Sequence, residues 1–369
     1  RNPTSNQKMS AAAGRAIPRL TGRLGWTRSR CTAAKVVHVP IEEARATTAA
    51  ALAKLGWGDR DASLQADIMV GAELCGNNQG LVKMYQPALM APAPGAKSPT
   101  IERDSASSAV VNGNQSPGML AAITACDLAS EKVTGENAPV ISVVGSYNTS
   151  TSSGQLGFYA NRMATKGVIG ICLANSPEFV AAAAGGKAVF GTNPIAVGVP
   201  NAAGPPLTFD MATSAIALFG VLTAKAKGEP LPPGVAYDPD GKWTTSAAHA
   251  LEGGAIATFG GHKGAGLSLI VELLAGALPG AAVLGQCDSK KAAKSWGHLM
   301  IAIKPSGLVD DFESKAASIL QTVKASGPSI RLPGESSAKI AAERQKQGTL
   351  PIPVGVWSVI TETAKNGCP

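Results

Sequence analysis

The chain has few side chains suited to proton transfer, so each one and its surroundings matter. Its four histidines are His38, His249, His262 and His298. Only His262 lies among other groups that could hold a ligand, in "FGGHKGAGLSL". The glycines there free the backbone for close approach, and a helix pattern starts directly after them. A helix N-terminus offers unpaired N–H groups and a partial positive charge. Lys263 adds a full one, so His262, Lys263 and Gly264 suit a phosphate or a carboxylate. An ordinary glycine-rich helix start has the same pattern. "LTFDMATSAIA" sets Asp210 at the end of an apolar run, followed by Met211 and Ala212. That carboxylate could cap a helix or accept from a ribose hydroxyl, capping being the commoner role. "IRLPGESSAKI" puts Pro333 and Gly334 in a turn and Glu335 at a helix start, where an acid is favourable for the helix alone.

A further stretch, "GSYNTSTSSGQLGFYA", is uncharged and rich in hydroxyls. Asn148, Thr149, Ser152 and the backbone N–H groups around them could hold a substrate carboxylate without a formal charge. A capped turn before the helix that follows is the plainer reading. Lys83, Tyr85 and Tyr159 are other conceivable proton donors, but Lys and Tyr act near neutrality only with strongly lowered pKa values.

These groups must be positioned by a large fold. The chain has 369 residues, 45% of them hydrophobic and only 4% aromatic, which fits close-packed helices on a sheet rather than a stacking platform for single-stranded nucleic acid. Residues 1–41 hold eight of the 33 cations and no acid, leaving 25 cations against 25 anions in the body. A balanced body excludes nucleic acid as the expected partner. The acid-free start, rich in Arg, Ser and Ala, resembles an organellar leader over 1–36, which points to the mitochondrial matrix. No apolar run reaches membrane-spanning length. The six cysteines are scattered without a CxxC pair, so no zinc site or disulfide framework is expected.

Helix patterns run over "IEEARATTAAALAKLGWG" and "DRDASLQADIMVGAELCG", the second capped by Asp59 or Asp61. Strands and helices then alternate from "SSAVVNG" to "LTFDMA", which predicts an α/β layer structure with a largely parallel or mixed sheet. Residues 225–258 read as a long connection, and "GAGLSLIVELLAGAL", apolar nearly all round, as a buried helix. Helices near 308–323, 335–346 and 354–365 end the chain. His298 opens the strand "HLMIAI" and reads as a satisfied structural histidine.

No G-x-G-x-x-G follows a strand, so a Rossmann nucleotide loop is absent. Instead "GTNPIAVGVP", "FDMATSAIA", "FGGHKGAGLSLIVELLAGAL", "GHLMIAIKP" and "RLPGE" occur in that order. This succession resembles the malate/L-lactate dehydrogenase family that lies outside the Rossmann group, over about residues 40–365. The resemblance implies a non-Rossmann mixed-sheet α/β fold with a helical layer from the two chain ends. It implies a central cofactor domain at 116–304, and a helical, dimerising and substrate-side layer from 37–115 and 305–369. It also implies NAD or NADP as cofactor, a small 2-oxo or 2-hydroxy acid as substrate, and a homodimer with the site near the subunit interface. Ser176, Asp210, Met211, Ala212, Lys263, Gly264, Pro333, Gly334 and Glu335 would line the cofactor.

The family carries a proton-transferring histidine in each of two regions, within "SHG" and "HFG". Here Gln79 in "GNNQGLVKMY" stands at the first, with Lys83 at the position of an Arg anchor, and Ser152 stands at the second. The expected catalytic set is therefore Gln79, Lys83, Asn148, Ser152 and His262. Loss of both imidazoles leaves two readings. One is a dehydrogenase with its own proton donor, and the other is a catalytically degenerate relative serving as a subunit of a larger mitochondrial assembly.

Overall fold

A computed structural model describes residues 35–77, 79–284, 286 and 296–367. The expected leader lies outside the described residues up to position 34. The described chain opens with β1 (Val36–Pro40), α1 (Ile41–Lys54) and α2 (Asp59–Leu74). The hairpin β2 (Thr100–Asp104) and β3 (Ser108–Asn112) leads to α3 (Gly118–Lys132), β4 (Ile141–Tyr147), α4 (Leu156–Thr165) and β5 (Ile169–Ala174). Short strands β6 (Val180–Ala181) and β7 (Ala188–Phe190) precede β8 (Ile195–Val199) and β9 (Leu207–Met211). Then come α5 (Leu218–Lys227), β10 (Ala236–Tyr237), α6 (Ala247–Leu251), β11 (Ala255–Ala257) and α7 (His262–Val271), which runs on into a π-helical turn, Glu272–Ala277. The chain ends with β12 (His298–Ile303), α8 (Phe312–Ala325), α9 (Glu335–Gln347), β13 (Thr349–Pro353) and α10 (Val354–Asn366).

Seven strands form the main sheet in the order β2-β3-β4-β12-β5-β8-β9. Only β3 and β4 are parallel neighbours, and every other pair is antiparallel. The sheet is thus mixed, and the largely parallel alternative fails. Strands β4 and β5 do run the same way with α4 between them in the chain, but β12 inserts between them from far along the sequence. Strands β5, β8 and β9 then fold back on one another. A second sheet, β10-β11-β6-β7, lies partly within the segment read as a long connection, with α5 and α6 supplying its apolar cover.

One face of the main sheet meets α3 and α4, whose small residues allow close packing. An added Cβ at Gly198 of β8 would lie 2.0 Å from the Ala160 carbonyl oxygen of α4, so only glycine lets this helix rest on this strand. Helices α1, α2 and α10 cover that layer, and β1 pairs with β13 to tie the two chain ends together. Helix α2 is not capped by Asp59 or Asp61. Its N-cap is Gly58, and Asp61 accepts instead from Ser98 Oγ at 2.6 Å.

The opposite face of the sheet meets α7 and its π turn through Leu173, Val271, Ala275 and Leu299. The expectation that this apolar helix is buried all round is wrong for a single chain. Only one side reaches the sheet, while Leu269, Ile270 and Leu273 remain 45%, 46% and 50% exposed.

Candidate active site

Lys83 lies on a 3-10 turn, Leu81–Tyr85, pressed against the end of α2. Leu81 and Met84 are buried and anchor the turn. Gly80 permits the approach, since an added Cβ there would sit 2.3 Å from the Met69 carbonyl oxygen. The Leu81 N–H donates to the Glu73 carboxyl, whose pKa burial raises to about 7 against the lowering effect of Arg344.

Ser152 comes from the loop after β4. That loop is fixed by backbone bonds to the segment before α3: Gln115 N–H to Asn148 O at 2.8 Å, Ser150 N–H to Ser116 O at 2.9 Å, and Gly118 N–H to Thr151 O at 3.0 Å. Tyr159, fully buried in α4, donates its hydroxyl to Ser153 O at 2.6 Å, so it braces the loop from below. Asn148 has a φ of 59°. Its amide donates to Asn112 Oδ1 at 2.8 Å and accepts from Gln115. Thr149 is buried and donates to Trp296 O at 3.1 Å. Gln79 flanks the same loop through its backbone: its carbonyl oxygen would lie 3.6 Å from a Cβ added at Gly154.

The two elements meet where Lys83 Nζ donates to Ser152 Oγ at 2.5 Å. The Lys83 amine also sits 5.4 Å from the centroid of the Phe219 ring, at the start of α5. Desolvation lowers its pKa to about 8. Sequence reasoning named Lys83 and Ser152 separately, and the fold brings them into contact across 69 residues. It missed Phe219, which carries no motif. His262 is exposed at the head of α7 and makes no hydrogen bond to the pair.

Asp210, next to the last residue of β9, accepts from the Gly157 N–H at 2.8 Å, so it caps α4 directly after the Ser152 loop. Gly157 makes room for it, because a Cβ there would lie 2.9 Å from Asp210 Oδ2. Ser176 Oγ accepts from the Thr192 N–H at 3.0 Å. Met211 pairs with Ile195 in the sheet, and Ala212 follows it. Gly334, at φ 75°, packs against Thr208 of β9, where a Cβ would meet the Thr208 carbonyl oxygen at 2.5 Å. Pro333 precedes it on the surface. Glu335 bonds Lys324 at 2.5 and 2.7 Å and accepts from the Leu332 N–H at 2.9 Å, so its carboxylate closes a local turn.

The expected cofactor finds a fitting donor set at the head of α7. No side chain caps this helix, and its N-cap Gly261 has a φ of 61°. An added Cβ at Gly260 or Gly261 would meet nothing within 4 Å, so the approach to the helix start is open, and the first N–H groups of a helix have no partner within it. The exposed Lys263 stands in the first turn, and Gly264 seats the helix on Phe259. Unpaired N–H groups and one ammonium suit a dinucleotide phosphate. His298 is fully buried: its Nδ1 pairs with Ser146 Oγ at 2.8 Å, while Nε2 has no partner among the described residues. Burial holds its pKa at about 4, so it is neutral at physiological pH and only half satisfied.

The sequence profile of the malate/L-lactate dehydrogenase family matches residues 39–361. The chain is 38% identical over 255 residues to the L-sulfolactate dehydrogenase of Methanothermobacter thermautotrophicus, covering 68% of this chain and 72% of that protein. It is 31% identical over 317 residues to the malate/(S)-sulfolactate dehydrogenase of Methanothermus fervidus, covering 83% of this chain and 91% of that protein. The crystal structure of the delta1-piperideine-2-carboxylate reductase from Pseudomonas syringae pvar. tomato superposes with a TM-score of 0.81 at 26% identity, covering 89% of this chain and 99% of that one.

Proposed function

Since this chain belongs to the malate/L-lactate dehydrogenase family, an oxidoreductase family, we propose that it interconverts a small 2-oxo acid and its 2-hydroxy acid with NAD or NADP. The observation that carries the reading is the contact between a desolvated Lys83 and Ser152, the residue that the resemblance sets at one of the family's two histidines. When bound, the nicotinamide supplies or takes the hydride at the carbonyl carbon. The protein must then supply a proton to the carbonyl oxygen.

Lys83 Nζ donates to Ser152 Oγ, so the Ser152 hydroxyl proton is free to point at a substrate oxygen. In reduction, Ser152 gives that proton up and takes one from Lys83, which becomes a neutral amine and is recharged from solvent. A lysine pKa of about 8 makes this transfer competent near neutral pH, where an ordinary lysine is too weak an acid. The ammonium also attracts the substrate carboxylate, and the loop N–H groups after β4 can share it. At the head of α7, backbone N–H groups and Lys263 would hold the cofactor phosphates.

A second substrate reading rests on a specific match, the fold shared with a piperideine-carboxylate reductase. A protonated cyclic 2-imino acid already carries its proton, so reduction yields an amine with no oxyanion to neutralise. A site without imidazole suits that substrate, and the Phe219 ring could face its apolar carbons. The discriminating experiment follows NADH and NADPH oxidation against a panel of 2-oxo acids and of cyclic 2-imino acids. Turnover of 2-oxo acids that Ser152→Ala abolishes supports the first reading. Turnover of imino acids alone, insensitive to Ser152→Ala, supports the second. Cofactor binding with no turnover on either panel would return the chain to the degenerate-subunit reading.

We also read the exposed apolar side of α7 and its π turn as the seat of a second copy of this chain. Leu267, Leu269, Ile270 and Leu273 are each at least 36% exposed there, and apolar side chains gathered on one helix side mark interaction surfaces. Light scattering of the purified protein tests this.

A further inference from the structure

Glu272 is 3% exposed in an otherwise apolar segment, and no step of the proposed chemistry uses it. It opens the π-helical turn that continues α7, a local widening that recurs at functional sites. Its Oε2 accepts from Asn175 Nδ2 at 3.1 Å and its Oε1 from Asn193 Nδ2 at 3.1 Å. The Gly191 N–H donates to it as well. Burial pushes its pKa up and Glu178 adds to that, while the Asn175, Asn193 and Gly191 donors oppose it.

Each donor borders a segment named for the cofactor. Asn175 precedes Ser176, and Gly191 and Asn193 flank Thr192, whose N–H bonds Ser176 Oγ. Asn193 holds a φ of 40° and also donates to Ser268 O of α7 at 3.1 Å. One turn before Glu272, Ser268 Oγ pairs with Thr213 Oγ1 at 2.7 Å, and Thr213 directly follows Met211 and Ala212. The segments around Ser176 and Met211–Thr213 therefore both fasten to the one helix whose first turn holds Lys263 and Gly264. A buried carboxylate costs stability that an apolar residue would not, and its donors offset only part of that cost, so its place here is accounted for better by the segments it holds together than by stability.

We propose that Glu272 is a positioning residue for cofactor binding, setting the spacing between the head of α7 and the Ser176 segment. The proposal rests on the reading that the dinucleotide binds at the head of α7. The test uses the full chain with Glu272→Gln, which keeps the volume but turns an NH2 toward N–H donors. NADH and NADPH are titrated by fluorescence, and kcat and KM are measured with the active nucleotide. The expected result is a nucleotide Kd raised roughly tenfold or more, since small misplacements of a binding group are costly. kcat at saturating nucleotide stays within a few-fold, because Lys83 and Ser152 are untouched.

If Glu272→Gln does not fold, Asn175→Ala is used, which leaves Glu272 its Asn193 and Gly191 donors. It should weaken nucleotide binding in the same way. Folded variants that bind nucleotide like the wild type, or that lose kcat rather than affinity, overturn this proposal alone. A wild-type chain that binds neither nucleotide sinks the cofactor reading and this proposal with it.

Discussion

Replacing Lys83 by Met should abolish activity and make the protein more stable. The native state lowers the Lys83 pKa from 10.5 to about 8 by desolvation, a shift of about 2.5. At 1.36 kcal/mol per unit this places a cost of about 3 kcal/mol on holding the charged amine in the folded protein. The Ser152 hydrogen bond is part of that native environment, and losing it in the variant takes back roughly 1 kcal/mol. Met fills a similar volume without the charge, so a net gain of about 2 kcal/mol is expected at pH 7. The sign follows from linkage. A depressed folded-state pKa gives stability that is present above the unfolded value and lost as pH falls through the folded value. The wild type should therefore trail Lys83→Met fully below pH 8 and catch up as pH rises past about 10.5. Guanidinium unfolding across that range measures the gap, and NAD(P)H turnover measures the activity. In the wild type, reduction should fall away above pH 8 as Lys83 loses its proton. A Lys83→Met variant less stable than the wild type at pH 7 would refute the desolvated-acid argument. So would one that keeps turning over 2-oxo acids.

Ser152→Ala should lower kcat for 2-oxo acids by roughly 10²–10³ while leaving nucleotide affinity unchanged, as steady-state kinetics and fluorescence titration would report. Gly198→Ala should cost about 3 kcal/mol or more in chemical denaturation, because its methyl would sit 2.0 Å from the Ala160 carbonyl oxygen and lift α4 off β8. His298 has a folded pKa of about 4 against 6.5 unfolded, so it destabilises the native state progressively as pH falls from 6.5 to 4, by up to about 3 kcal/mol. His298→Leu should flatten that part of the stability-against-pH curve relative to the wild type. Ile270→Asp, on the exposed side of α7, should shift a dimeric protein toward monomer in light scattering without lowering its helix content.

How far these elements could be read from sequence depends on how local their cause is. Helices α3 and α10 announce themselves through periodicity and start signals, and α3 begins at Gly118 with Pro117 as its N-cap. The sheet order does not. Nothing in "HLMIAI" says that β12 will slot antiparallel between β4 and β5, since its neighbours are chosen by long-range packing. The β1–β13 pairing of the two chain ends is non-local in the same way. The buried-helix expectation for α7 failed for a different reason. An apolar surface reads alike in sequence whether the chain's own sheet covers it or another copy must.

The site divides along the same line. The glycines of "FGGHKG" were legible as places where backbone approaches something, and Gly264 does meet Phe259 too closely for a Cβ, but Gly80 and Gly157 carried no such mark and are also too tight for one. What they approach was not legible: Asp210 read as a cap, the commoner role, or as a ribose ligand, and only the fold turns it to the N–H of Gly157. The Glu272 cluster was the one functional feature with an unused sequence signal. A single carboxylate inside "LSLIVELLAGAL" must find donors if the helix packs on a sheet, and the Asn of "LANSP" and of "GTNP" were candidates of the right type. Lys83 and Ser152 were each named from the sequence, but their contact was not, because an exposed lysine and a desolvated one look the same in a sequence. The charge of Lys83 becomes chemically useful only through its surroundings. Leu81 and Met84 fasten its turn from one side, and a loop tied down from Asn148 to Ser153 presents a hydroxyl from the other. On the function proposed above, the part of the missing imidazoles would fall not to another residue of suitable intrinsic pKa but to an environment that makes one.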